Sequence, residues 1–265
     1  MAQSSTQARN RIRRNRRTVD PAQVMRWCIS ILLFFAIWEI VGRSGVIISI
    51  VPPSEVLPVL WEQMGEGELL WATARTLKLA GIGFVIGGTF GVAVGMLMGL
   101  APTFARVLDP LVSAAYSAPT AMFIPVLSIY AGTELKAKVV LVVSFNIFVV
   151  ILNTAAGMRQ VNPAFVELGR AFGLKGLGLF RKVLLPAASP NILTGLRLAV
   201  GRSVQGAVLA DLFLRAQDLG LYVRQAQGKF DMAELLAAVL LLTFVAVAAM
   251  GIARFIEFRL LRWAG

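Results

Sequence analysis

The stretch LAGIGFVIGGTFGVAVGMLMGL, residues 79–100, carries no charged side chain. A helix needs about 18 to 20 apolar residues to cross roughly 30 Å of hydrocarbon, and this run is long enough. Within it glycine recurs at 87, 91, 95 and 99, with Gly81, Gly83 and Gly88 around them. Glycines four apart share one helical face and let another backbone approach closely. The stretch therefore reads as a membrane-spanning helix packed tightly on a neighbour, with no ligand role for its glycines.

Working outward, comparable apolar runs lie at 27–41, 111–131, 139–157, 192–210 and 235–252. The first is short and contains Glu39. Of the 265 residues, 57% are hydrophobic and 15% charged, against roughly 25% charged in an ordinary soluble domain. The expected fold class is all-α, a polytopic membrane protein of about six transmembrane helices. There is no histidine, and the one cysteine, Cys28, falls inside the first span. That removes histidine catalysis, an intrachain disulfide and any Cys/His metal cluster. No paired acid dyad stands within the spans, so no catalytic and no metal-ligating residue is expected. The pattern GxxxxGK[ST] is absent, so the chain lacks a phosphate-cradling loop and is expected not to hydrolyse ATP or to be an enzyme. Its energy must come from a gradient or a partner.

The formal charge of +12 is unevenly placed. Arg9, Arg11, Arg13, Arg14, Arg16, Arg17 and Arg26 crowd the N-terminus without interleaved aromatic residues. Residues 1–24 are expected to form a basic, disordered cytoplasmic tail beside anionic lipid, and 25–265 the transmembrane domain; nucleic acid is not expected as a partner. VGRSG, residues 41–45, makes a poor signal-peptide cleavage site, so the first helix is expected to remain. With the N-terminus inside, the inner segments also hold Arg106, Arg159, Arg170, Lys175, Arg181, Lys182, Arg254, Arg259 and Arg262. The outer segments hold half as many cations, Lys136 and Lys138 among them, and most of the acids. The positive-inside rule then puts both termini in the cytoplasm. Residues 51–76, VPPSEVLPVLWEQMGEGELLWATART, read as an outer surface helix with Trp61 and Trp71 suited to the interface.

Polar residues concentrate in three spans. In the third, Ser113, Tyr116, Ser117 and Thr120 fall within about a 100° arc of a helix, while Pro119 and Pro125 interrupt its hydrogen-bond ladder. Such a stripe suits a cavity wall, or hydroxyls bonded back to carbonyls one turn earlier. In the fourth, Asn146 and Asn153 share a face and bridge helices or line a pathway. In the fifth, Thr194, Arg197, Gly201 and Gln205 lie within roughly an 80° arc, with Arg202 to the side and Asp211 near the outer end. A central arginine facing lipid costs about 2.5 to 3.5 kcal/mol, so these residues should face protein or water.

Between the fourth and fifth spans lies ELGRAFGLKGLGLFRKVLLP, residues 167–186. Asn162 and Pro163 form a helix start. Phe165, Leu168 and Phe172 make one apolar stripe, Glu167 and Arg170 can pair across a turn, and Gly173 suits a left-handed cap. A second helix is expected over 177–185, ending before Pro186. The periodicity fits either a docking elbow or an amphipathic loop on the inner leaflet.

The passage resembles the cytoplasmic EAA loop of ABC importer permeases, with its E-x-A-R-x-x-G core followed by L-P. The chain from about Trp38 onward is similar to the nitrate/sulfonate/taurine class of permease subunits, through WEI, VPPSEVL, GVAVGMLMGLAP, LDPLVSAAYSAPTAMFIPVLSIYAG, NTAAG, LLPAASPNILTGLRLAVG and LGLYVRQAQ in that order. The resemblance implies a type I ABC importer permease fold in the bacterial inner membrane. It also implies a second copy of the chain, two cytoplasmic ATPase subunits that bind ATP and Mg, and an extracytoplasmic solute-binding protein. By resemblance, Phe165, Glu167, Leu168, Gly169, Arg170, Ala171, Phe172 and Gly173, in a loop over about 158–189, dock on the ATPase. Ser113, Tyr116, Ser117, Thr120, Asn146, Asn153, Arg197 and Gln205 are the expected pathway residues. Gly169 departs from the alanine of the motif, loosening the helix by up to about 1 kcal/mol; Ser117 stands where relatives often carry arginine, and Asp211 where glutamate is common. A sulfonate, nitrate, bicarbonate, a pyrimidine precursor or an aromatic acid is compatible as substrate. The rival is a secondary transporter or channel whose loop lies on lipid.

Overall fold

The computed structural model describes residues 21–45, 50–214 and 217–261. The tail arginines before Pro21, together with Arg215 and Arg262, lie outside the described residues. Among the described residues every regular element is helical. The chain divides into two units, 1–58 and 59–265.

The first unit contains α1 (Pro21–Arg43) and the start of α2 (Pro53–Glu66). Glu39, the charge inside the first span, is satisfied where the chain turns back. Its carboxylate accepts from the Ser54 amide at 3.1 Å and the Ser54 hydroxyl at 2.7 Å, and pairs with Arg43. Trp38 stacks on Phe35 and donates its indole N–H to the Val51 carbonyl at 3.0 Å.

The second unit runs α3 (Glu68–Leu100), α4 (Pro102–Ser117), a 3₁₀ turn (Thr120–Phe123), α5 (Ile124–Ala131) and α6 (Leu135–Arg159). There follow α7 (Pro163–Ala171), α8 (Gly176–Leu179), a π turn (Phe180–Leu184), α9 (Leu185–Phe213), α10 (Asp218–Lys229) and α11 (Met232–Leu260).

The glycine face closes on α6. Gly83 lies against Val142, Gly87 against Asn146, Gly91 against Val150, Gly95 against Thr154 and Gly99 against Met158, and at each a Cβ would fall within 3.0 Å of that side chain. Both partners advance by four, so α3 and α6 run parallel. A parallel pair forces the intervening chain to cross back. The helices α4 and α5 do so as one span bent by 89°. The bend comes from Pro119, which drives Ala118 to extended φ/ψ of −68° and 139°. Against α6, α9 runs in the opposite sense: Gly157 meets Asn191, Gly195 meets Asn153 and Gly206 meets Val142. With α1 and α11, each long and apolar enough, six spans result.

Three expectations are corrected. The second span begins at Glu68 and has 33 residues, about 50 Å of helix at roughly 1.5 Å per residue; Trp71 belongs to it, and the short helix expected on the outer surface stops at Gly67, whose φ is 80°. The helix expected over 177–185 does not stop before Pro186. The Leu185 amide instead reaches the Phe180 carbonyl, and this wider turn makes room for a proline ring that would clash in α geometry. The four hydroxyl residues of the third span do not form one arc, because α4 ends at Ser117 and Thr120 lies in the 3₁₀ turn.

Candidate functional site

The elbow joins α6 to α9. Asn162 caps α7 by accepting from the Ala164 amide at 3.0 Å, with Pro163 at the first helical position. At the other end Gly173 has φ 79° and its amide donates to the Arg170 carbonyl at 2.9 Å, while Leu174 donates to the Gly169 carbonyl at 3.0 Å. That is the Schellman pattern, and it leaves the last carbonyls satisfied. Gly169 is buried, and a Cβ there would come 2.8 Å from Leu179 and 3.0 Å from Val183. The missing methyl therefore lets α7 sit close on the π turn, an effect that offsets its low helix propensity. Phe165, Leu168 and Phe172 remain 55%, 55% and 78% exposed. They border an apolar groove of about 640 Å³ floored by Leu174, Val183 and Pro186. Ala171 is exposed on the same helix. The expected Glu167–Arg170 pair does not form; both side chains are exposed, where such a pair is worth only about 0.2 to 0.5 kcal/mol.

The polar residues of the spans divide by exposure. Ser113, Tyr116 and Ser117 are exposed on α4, Ser117 donating back to the Ser113 carbonyl at 2.8 Å. Thr120 is half-buried and Gln205 exposed. Asn146 is fully buried, its amide donating to the Gly83 carbonyl at 3.1 Å and to the Ser203 hydroxyl at 2.8 Å, so it ties α3, α6 and α9 together. Asn153 donates to the Val149 carbonyl of its own helix at 2.8 Å. Arg197 forms an ion pair with Glu257 of α11 at 2.9 Å, and Thr194 donates to the same carboxylate at 3.0 Å. Gly201 faces Met250. Thr194, Arg197 and Gly201 thus face α11, and Gln205 borders a groove there with Thr243 and Met250.

A buried ion network escaped the sequence reading. Lys138 of α6 and Asp211 of α9 pair at 2.7 Å with side chains 5% and 1% exposed. Thr76 of α3 donates to the other Asp211 oxygen at 2.6 Å, and Lys138 also reaches Gln217 at 3.4 Å. An acid within a span demands a partner, and that was the available signal; Lys138 had been grouped with the outer surface charges.

The profile of the family "Binding-protein-dependent transport system inner membrane component" matches residues 87–262. The chain belongs to this family. It is an ABC importer permease of the nitrate/sulfonate/taurine class, multi-pass in the inner membrane. A Bacillus subtilis (strain 168) permease protein named for aliphatic sulfonates transport, SsuC, is 29% identical over 89% of this chain and 88% of its own. The nitrate import permease protein NrtB of Leptolyngbya laminosa is 27% identical over 72% and 68%. The taurine transport system permease protein TauC of Escherichia coli (strain K12) is 28% identical over 81% and 80%. A chain of the MetNI methionine ABC transporter in an inward-facing conformation shares the permease fold, with a TM-score of 0.63, 19% identity, and coverage of 76% of this chain and 96% of that one.

Proposed function

We propose that the permease couples ATP hydrolysis by cytoplasmic partner subunits to substrate movement through the elbow at residues 163–173. The observation that carries this reading is the ridge of Phe165, Leu168 and Phe172, exposed on a helix capped at both ends and joined through the π turn to the spanning helix α9. Three large apolar side chains in water on a short rigid helix are a docking surface for a partner groove. Because the π turn runs into α9 without a break, a push on α7 is delivered to a spanning helix. Coupling needs such an element with two arrangements.

In the same reading, two copies of the chain enclose the pathway, and an extracytoplasmic binding protein delivers the solute. Tyr116, Ser117, Thr120 and Gln205 line the pathway, with Ser113 at its edge. Asn146, Asn153 and Arg197 brace the helices behind it. The termini face the cytoplasm.

The test purifies the permease with its partner subunits. Wild type is expected to copurify with an ATPase and to crosslink to it through a cysteine at Ala171. Gly173→Val, which forces a β-branched residue into φ 79°, is expected to abolish uptake while the protein still inserts. Glu167→Lys should do the same by reversing the charge that this exposed face offers to the partner subunit. Normal transport by both variants would instead favour a lipid-bound loop.

A further inference from the structure

Arg202 is the one cation of α9 that the packing leaves over. Away from the helix starts, where Glu68 and Glu234 lie, each acid in the spanning helices of unit 59–265 already holds another cation: Asp109 holds Arg159 at 2.9 Å, Asp211 holds Lys138 and Glu257 holds Arg197. Arg202 is exposed and makes no ion pair or hydrogen bond among the described residues. A second copy of the chain would have the acids at this depth taken in the same way, so dimerisation supplies no carboxylate there for it.

Its depth rules out the usual escape. Arg202 lies five residues after Arg197 and nine before Asp211, about 7 and 14 Å along the helix axis. The neighbouring Ser203 bonds Asn146, which sits midway along α6. Cationic side chains snorkel to water from near helix ends, and a charge at this depth must instead face protein or a water-filled cavity. On the helix, Leu198, Arg202 and Gln205 are exposed and share an arc, between the side facing α6 (Ala199, Ser203, Gly206) and the side facing α11 (Arg197, Gly201).

We propose that Arg202 is the anion-selecting residue of the translocation pathway. This rests on the pathway reading given above. A guanidinium offers a planar fork of donors that matches two oxygens of an oxyanion, and it stays charged at any working pH. In a narrow, partly dehydrated passage an unpaired positive charge raises the local concentration of anions and excludes cations. Gln205, one turn further along the same arc, adds an uncharged donor beside it.

The test needs no knowledge of the natural substrate. With Cys28 replaced by serine, a reporter cysteine is introduced as Gln205→Cys in the full chain, assembled with its partner subunits in permeabilised membranes. Its rates of modification by 2-sulfonatoethyl methanethiosulfonate, an alkanesulfonate, and by the trimethylammonium analogue are each normalised to a free thiol in solution. A change in the reporter's own acidity affects both reagents alike, so their ratio reads the local field. The anionic reagent is expected to be favoured by roughly tenfold or more. Arg202→Gln should bring the ratio close to one, and Arg202→Lys should keep it. A ratio that Arg202→Gln leaves unchanged overturns the inference while the pathway reading stands. A cysteine at 205 that neither reagent reaches overturns both, because that face would then lie on lipid.

Discussion

Lys138 and Asp211 show what a single buried pair does in this protein. With both side chains almost wholly buried, neither charge has water to fall back on. Removing one partner leaves the other uncompensated, which in proteins costs about 3 to 5 kcal/mol, whereas replacing both by apolar groups of similar size is often neutral. Lys138→Met is therefore expected to lower the unfolding temperature of the purified permease in detergent by many degrees. The double variant Lys138→Met, Asp211→Leu should recover most of that loss. Thr76→Val removes one hydrogen bond of 2.6 Å to the same carboxylate and should cost less, about 1 to 3 kcal/mol. If Lys138→Met is as stable as wild type, the pair does not hold α6 to α9.

At the scale of the element, the α3–α6 contact is decided by absent side chains. At Gly91 a Cβ would meet the Val150 side chain at 2.8 Å and the Ile147 carbonyl at 3.1 Å, and a backbone carbonyl cannot rotate away. At Gly81 the space is open. Gly91→Leu is expected to abolish the monodisperse peak in size-exclusion chromatography, and Gly81→Leu to leave it intact. Equal profiles for the two would mean that the helices do not meet on this face. The contact was legible in the sequence because a spacing of four has one geometric meaning on a helix. The break at Pro119 was legible for a similar reason, since proline acts on its immediate neighbour. The Lys138–Asp211 pair was not, because the partners are 73 residues apart and no local pattern marks which cation an acid will meet. Thr120 was assigned to an arc that assumed an unbroken helix beyond that same proline. Pro186 was read as a stop because proline ends an α-helix, and only the π turn ahead of it shows how the chain continues. In the elbow, the caps and the apolar ridge were readable, while the reason for Gly169 was not: its neighbours Leu179 and Val183 arrive only when the chain folds back.

For the whole molecule, sidedness follows from combining helix direction with charge. The parallel register of α3 and α6, and the opposite sense of α9, place the elbow at the same membrane face as the end of α3, and the start of α6 at the other face together with α10. Of the cations at that second face, Lys138 is buried in an ion pair and Arg75 is matched by Asp218 at 3.1 Å. The excess of unmatched positive charge therefore gathers at the elbow side, around Arg170, Lys175, Arg181 and Lys182, which are all exposed. In the proposed orientation this excess is the charge that the cytoplasm retains. After Cys28 is replaced, single cysteines at Glu66, Lys136 and Gly228, exposed positions outside the spanning helices or, for Lys136, in the first turn of one, are expected to react with an impermeant maleimide in intact cells. A cysteine at Lys175 should react only once the cells are opened. The contrast is strong because the reagent either reaches a face or does not, so small distortions at the labelled sites do not blur it. Labelling at Lys175 in intact cells would turn the elbow outward, out of reach of any cytoplasmic ATPase, and the coupling mechanism would fall with the topology.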